Sequence, residues 1–305
     1  TAKIVMEGEK SPQLQGFTTA GAPIEGTVCT YLVPLWGAGS ELTKDGKLNL
    51  DTPQAKQPFQ LYGRMKQAGV MPKNIAEIPT DRIRIDMQAG NLIFGMSWGY
   101  VWNRLENDAD SKVKGKIGVA SLPHDQGGKS ATCIGGWQVA VSAFSKNKAE
   151  AVKLARWLSS PEVSKLQAIE ASHLPAFASV YTDADVAKVA PWFKDAANVV
   201  VAGKSRPMSK DYGQVSDIIR TTTSAVLART KPPAEGVTDI ESRLARVMRP
   251  QHTVARRGGD EFAVLAPDVG ARLEVEKMSL RLLQNFVGLV RDRAGVTVGT
   301  AAAGR

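Results

Sequence analysis

Two stretches of the chain carry residue types that could do chemistry. The first is aromatic: Trp98-Gly99-Tyr100-Val101-Trp102, with Gly135-Gly136-Trp137 further along. Rings at strand ends suit ligands such as sugars, which offer apolar C–H faces to stack on and hydroxyls to hydrogen-bond. Glycines beside Trp137 would let a backbone approach such a ligand closely. The competing reading is core packing, because buried aromatics outnumber ligand platforms. The second stretch is Arg257-Gly-Gly-Asp-Glu-Phe-Ala-Val-Leu-Ala-Pro267. It predicts a hairpin, with a strand Thr253–Arg256, a Gly-Gly turn and a strand Phe262–Ala266.

Other signals are weaker. Gly128-Lys129-Ser130 ends like a phosphate loop, but Pro123 stands where the first glycine is required, so it reads as a turn. His124, His173 and His252 are far apart and lack metal-ligand spacing. Two cysteines, Cys29 and Cys133, are too few for a disulfide framework; one bridge is open to them, and two inert buried thiols is the preferred reading. The formal net charge is +9, yet the lysines are scattered and no basic run is interleaved with aromatics, which argues against nucleic acid. No apolar run approaches the length of a membrane span. The chain starts at Thr1 with no basic-then-apolar leader, which reads as a lost targeting segment or a start inside a longer parent.

The elements that must position these residues alternate between helix and strand. Asp51-Thr52-Pro53 opens a helix through Leu61 and Met65 to Gly69, with Pro58 expected to kink it. Asn147 with Glu150 predicts a capping box over a stripe of Ala151, Leu154, Ala155 and Leu158. Ser160-Pro161-Glu162 opens another helix carrying Val163, Leu166 and Ile169. Strands are predicted at Lys3–Met6, Leu92–Ser97, Lys116–Ala120 and Gln138–Ser142, and the alternation argues for an open α/β sheet. Composition then changes. All six Trp and all five Tyr precede Met248, and residues 248–305 hold 1 Lys against 8 Arg, where residues 1–247 hold 20 Lys and 10 Arg. A boundary is expected between Gly236 and Arg249, after a Pro-Pro-containing loop, giving domains of about 1–245 and 246–305.

Across residues 1–245 the motifs follow one family in order. The run Ser111-Lys-Val-Lys-Gly-Lys-Ile-Gly-Val-Ala-Ser-Leu-Pro123 resembles the family-one extracellular sugar-binding proteins of the maltose/trehalose type. So do Ile134-Gly-Gly-Trp-Gln-Val-Ala-Val-Ser142, Ser145-Lys-Asn147 and Trp157-Leu-Ser-Ser-Pro-Glu162. Glu25-Gly26, Leu35-Trp-Gly37, His173-Leu-Pro175, Arg206-Pro207, Tyr212 and Val215-Ser-Asp217 complete the match. The resemblance implies a two-lobed periplasmic-binding-protein fold, here partial, with a disaccharide or oligosaccharide in the cleft between lobes. It implies an ABC transporter permease as partner, an extracytoplasmic location, and a membrane reached only through the transporter or a lost anchor. By resemblance Trp98, Tyr100 and Trp137 stack on the sugar, Gly136 approaches it through its backbone, and Arg206 donates to hydroxyls; a surface ion pair is the alternative for Arg206. Trp36 and Trp102 are read as core. Ser40 and Pro58 depart from the pattern, and the family's opening segment has no counterpart.

The tail has its own resemblance. Gly258-Gly259-Asp260-Glu261-Phe262, with Thr253-Val-Ala-Arg256 before it, is similar to the signature of GGDEF diguanylate cyclases, and a helix Arg272 to Val290 and a strand Gly295–Val298 fit that domain's second half. The resemblance implies a partial α/β fragment, with Gly258 and Gly259 against GTP, Asp260 near Mg²⁺ and Glu261 beside them, and a cytoplasmic parent. The upstream strand with the first metal-binding aspartate is missing, and His252 stands where an inhibitory motif has aspartate. No enzyme activity is expected, and no cofactor: Mg²⁺ and GTP would be needed only by a completed domain. The chain thus reads as two partial domains joined end to end. Sugar binding for uptake is the leading function, ahead of a cyclase fragment or a fusion without a working site.

Overall fold

The computed structural model describes residues 1–248, 253–258 and 261–265. The chain divides into two compact units, Thr1–Arg249 and Pro250–Arg305. The first unit begins with α1 (Ala2–Glu9), β1 (Gln15–Thr18), α2 (Glu25–Gly37), and the short strands β2 (Thr43–Lys44) and β3 (Lys47–Leu48). Then come α3 (Pro53–Gln67), α4 (Thr80–Gln88), β4 (Leu92–Gly95), α5 (Val101–Asn107) and β5 (Thr132–Ile134). Five helices follow: α6 (Lys148–Leu158), α7 (Pro161–Ala171), α8 (Ala178–Tyr181), α9 (Ala184–Val189) and α10 (Phe193–Val201). The unit closes with β6 (Gly203–Ser205), α11 (Tyr212–Leu227) and α12 (Pro233–Val247). In the second unit β7 (Thr253–Gly258) pairs antiparallel with β8 (Glu261–Leu265), a hairpin as expected, with Gly258 in the strand and not in the turn.

The main core is built around α2. Val28, Tyr31, Leu32, Leu35 and Trp36 are all buried, so the helix is apolar on every side and must be covered on every side. Its cover is α3, α11 and α12, which contribute Phe59, Ile219, Ile240 and Leu244. Pro34 lies inside α2 and cannot donate to the Thr30 carbonyl; Tyr62 Oη donates to that carbonyl instead, at 2.8 Å. A second core lies between β1, β4 and the Val70–Ile83 segment, and a third gathers Trp192, Phe193, Val180 and Val186, with Trp102 against it.

Capping follows the sequence at two of three expected starts. Thr52 accepts from the Ala55 amide at 3.2 Å, and Ser160 from the Val163 amide at 3.2 Å. At Asn147 the helix forms without a side-chain cap, and Glu150 instead accepts from Lys153 Nζ at 2.9 Å. Despite Pro58, α3 runs unbroken.

Three expectations are corrected. Lys3–Met6 is part of a helix, not a strand, because Ala2 and Met6, one turn apart, pack together on the second core. Lys116–Ala120 and Gln138–Ser142 hold no strand; nothing among the described residues pairs with them, and a strand without a ladder partner leaves its amides unsatisfied. Among the described residues, in place of one open sheet there are two parallel pairs, β1–β4 and β5–β6, apart from the β2–β3 and β7–β8 hairpins. The Pro-Pro loop is also shorter than expected. Pro232 caps α12 and Pro233 occupies its first turn, so the interval 236–247 is helix, with Val237, Ile240 and Leu244 buried.

Candidate functional site

The candidate residues lie just beyond the carboxyl ends of the parallel strands, where α/β folds place ligands. Trp98 follows β4, Gly135-Gly136-Trp137 follows β5, Arg206 follows β6, and Glu25 opens α2 beyond the turn after β1. Ile134 is in register with Ser205, so Gly135 and Arg206 are the next residues on adjacent strands. Two contacts join the pairs at this edge. A Cβ added to Gly135 would lie 2.7 Å from Cζ3 of Trp98, so only glycine lets the indole sit against that backbone. Arg206 Nη1 donates to Glu25 Oε1 at 2.7 Å.

Glu25 is the hub of a polar cluster. Its carboxylate accepts from Arg206, Tyr212 Oη and Ser216 Oγ. Tyr212 and Ser216 are one turn apart on α11, which points both hydroxyls the same way. The start of α2 is fixed from behind: Thr30 Oγ1 donates to the Ala20 carbonyl at 2.6 Å, and Arg220 Nη1 to the Pro23 carbonyl at 2.8 Å. Burial and the hydrogen bond to Glu25 push the Tyr212 phenol well above its usual value, so it remains a donor at neutral pH. Partial burial works against the charge on Arg206, but Tyr212, the two cysteines and Glu25 more than offset it and raise its pKa. Two residues earlier, Lys204 pairs with Glu41 and lies 5.9 Å from the centre of the buried Trp36 ring. The arrangement presents fixed donors and acceptors beside an indole, a chemistry suited to binding a polyhydroxylated molecule.

The other sequence candidates fall outside this cluster. Tyr100 Oη donates to Asp81 Oδ1 at 3.2 Å, and burial followed by the Asp81 charge raises its pKa. Trp137 is 97% exposed, and an added Cβ on Gly136 would meet nothing within 4 Å. Arg206 forms the ion pair that was its alternative reading, with Glu25, at the strand edge. Glu25, Tyr212 and Ser216 were within the motifs carrying the resemblance but were given no role; the four-residue spacing of Tyr212 and Ser216 on a helix was the signal available. In the second unit, Gly258 and Glu261 are register partners in the hairpin, while Gly259, Asp260, Arg272–Val290 and Gly295–Val298 lie outside the described residues. Among the described residues, no group of three or more His, Cys, Asp or Glu side chains could hold a metal, and no helix is long and apolar enough to cross a membrane.

Fold and site together define an α/β ligand-binding scaffold of the periplasmic-binding-protein type. The sequence profile of the bacterial extracellular solute-binding proteins matches residues 2–165, and the chain belongs to that family. It is 34% identical over 254 residues to a probable ABC transporter-binding protein of Deinococcus radiodurans, covering 81% of this chain and 60% of that protein. The maltose-bound MalE3 structure of T. maritima superposes with a TM-score of 0.76 at 30% identity, over 81% of this chain and 63% of its own. A solute-binding protein of Agrobacterium radiobacter K84 in complex with ribitol matches in fold, with a TM-score of 0.71 at 21% identity, over 81% of this chain and 62% of its own. The chain therefore spans a little under two thirds of the length of these relatives.

Proposed function

We propose that residues 1–249 contribute the sugar-contacting surface of an extracytoplasmic binding protein that delivers a disaccharide or oligosaccharide to an ABC transporter permease. One observation carries the reading: Trp98, held against Gly135, stands at the same strand edge as the Glu25–Arg206–Tyr212 cluster. An indole takes the apolar face of a pyranose while a carboxylate and a guanidinium take its hydroxyls. The maltose in the T. maritima structure supports the choice of ligand class. Gly136, Trp137 and Tyr100 would be outer contacts that meet the sugar only once it is bound. Calorimetric titration of the chain with maltose, trehalose and related oligosaccharides tests this. Trp98→Ala is expected to weaken binding roughly five- to 150-fold, equivalent to about 1–3 kcal/mol for a buried platform. If wild type and Trp98→Ala bind a sugar equally, the reading fails.

For residues 250–305 the proposal of a GGDEF fragment rests on the sequence motif around Gly258 and Glu261 alone. We read that segment as a cyclase fragment without catalytic competence, since the upstream metal-binding strand has no counterpart in the sequence.

A further inference from the structure

The two cysteines are distant in sequence and adjacent in space. Cys29 lies four residues after Glu25 and seven before Trp36, which puts all three on one face of α2. That face looks onto the β5–β6 pair. Arg206, next after β6, reaches Glu25, and Lys204, the register partner of Cys133, lies over Trp36. Side chains of this strand pair thus touch α2 on both sides of Cys29, and Cys133 occupies the facing strand position. Both thiols belong to one core cluster and are 6% and 9% exposed. Both are free, buried thiols in the structure, and the sequence holds no other cysteine.

We propose that Cys29 and Cys133 form a disulfide site that, when oxidised, clamps α2 to β5 beside the Glu25–Arg206 pair. The oxidant is a small-molecule or protein disulfide, such as an extracytoplasmic compartment supplies; only this choice of compartment rests on the family assignment. One of the two cysteines, as thiolate, attacks the oxidant, breaking its S–S bond and expelling one thiol. The other then loses its proton and attacks the protein sulfur of that mixed disulfide, expelling the second thiol. Two electrons and two protons leave with the two released thiols. Because both sulfurs are buried in the folded chain, the exchange precedes the closing of α2 on β5.

The clamp would hold Glu25 and Arg206 in register without touching ligand, a positioning role. The test is chemical and independent of sugar binding. The full chain is refolded with glutathione disulfide, alkylated under denaturing conditions with iodoacetamide, and digested without reduction. The expected product is a single crosslinked peptide joining Cys29 to Cys133, lacking two hydrogens relative to the reduced pair. Alkylation of both cysteines, separate glutathione adducts on each, or a bridge between two chains would overturn the proposal. Oxidised protein should melt about 5–15 °C above reduced protein, and Cys29→Ser should abolish that dependence on reductant. A wild-type melt unmoved by reductant while the bridge is present would overturn the clamping role.

Discussion

The surroundings of α2 and the segment from Lys116 to Ala171 are opposite outcomes of folding. Around α2, apolar residues meet α3, α11 and α12, and Val28, Tyr31, Ile219 and Ile240 lose all contact with water. In the later segment the predicted strands at Lys116–Ala120 and Gln138–Ser142 stay irregular, and α6 buries none of its residues. Leu154 and Trp157 remain about half exposed, and Phe144 and Trp137 almost fully. A pattern specifies which face should be buried, and it becomes structure only where another surface is present to bury it.

The comparison is sharpened most by truncating one large side chain in each region. Ile219→Ala and Phe59→Ala remove fully buried side chains from the α2 core. Each should cost about 2–5 kcal/mol through lost transfer energy and the cavity left behind. Trp157→Ala and Leu154→Ala should change stability by about 0.5 kcal/mol or less. Urea denaturation gives both numbers in one series. Equal losses in the two regions would mean that α6 is covered in solution.

What the sequence made legible follows the same line. The capping residues Thr52 and Ser160 act on amides of their own helix, and they were read correctly because the interaction needs nothing distant. The hairpin Thr253–Leu265 was legible for the same reason. Lys3–Met6 was misread, since its run of three apolar residues, Ile4 to Met6, fits either period and only packing in the core that holds Phe17 and Val70 decides. At the candidate site, Trp98 and Arg206 were found through motif resemblance, and Glu25 lay inside a quoted motif without a role. Its hub position depends on an Arg–Glu contact spanning 181 residues, which no local spacing encodes. Trp137 was read as part of the cleft, and here it stands away from Trp98 and Glu25.

The polar cluster lies between these extremes, half buried and anchored to the α2 core on one side. Glu25→Ala removes the acceptor shared by Arg206, Tyr212 and Ser216. A loss of about 1–2 kcal/mol is expected, less than for a fully buried charge partner, because Glu25 and Arg206 both keep contact with water. Denaturation of Glu25→Ala beside Arg206→Ala and the double variant measures the coupling between them. If the double variant loses the full sum of the single losses, the two residues act independently and the cluster is not a unit.

A smaller effect should appear as a pH dependence at the α11–α12 contact. Burial pushes the Asp239 carboxyl up, but hydrogen bonds from Thr222 and Lys231 and the charges of Lys231 and Arg243 outweigh it and hold the pKa below its ordinary 3.8. A carboxylate depressed by folding contributes stability above the unfolded value, and that contribution is lost as pH falls through the folded one. Protection factors of the amides of residues 233–247, taken against intrinsic exchange at each pH, should therefore fall below about pH 4. Asp239→Asn should flatten that dependence and leave exchange in α4 unchanged. A dependence that survives the substitution would assign it to another group.

The smallest effect on stability is expected at the residue most prominent in the sequence. Trp137 makes almost no contact with the rest of the chain, so Trp137→Ala should leave the denaturation midpoint within about 0.5 kcal/mol of wild type. That is informative because a core tryptophan of the same size would cost about 3–5 kcal/mol. An exposed indole has a free face, and ordering it on a sugar costs side-chain entropy that Trp98, already seated on Gly135, does not lose again. Trp137→Ala should consequently weaken sugar binding less than Trp98→Ala does, in the same titration. The reverse order would place Trp137 as the main platform and Trp98 as its support, with the ring closing over bound ligand from its open position. Equal binding by Trp137→Ala and wild type, beside a clear loss in Trp98→Ala, would confine the sugar to the strand edge that Glu25 and Arg206 share.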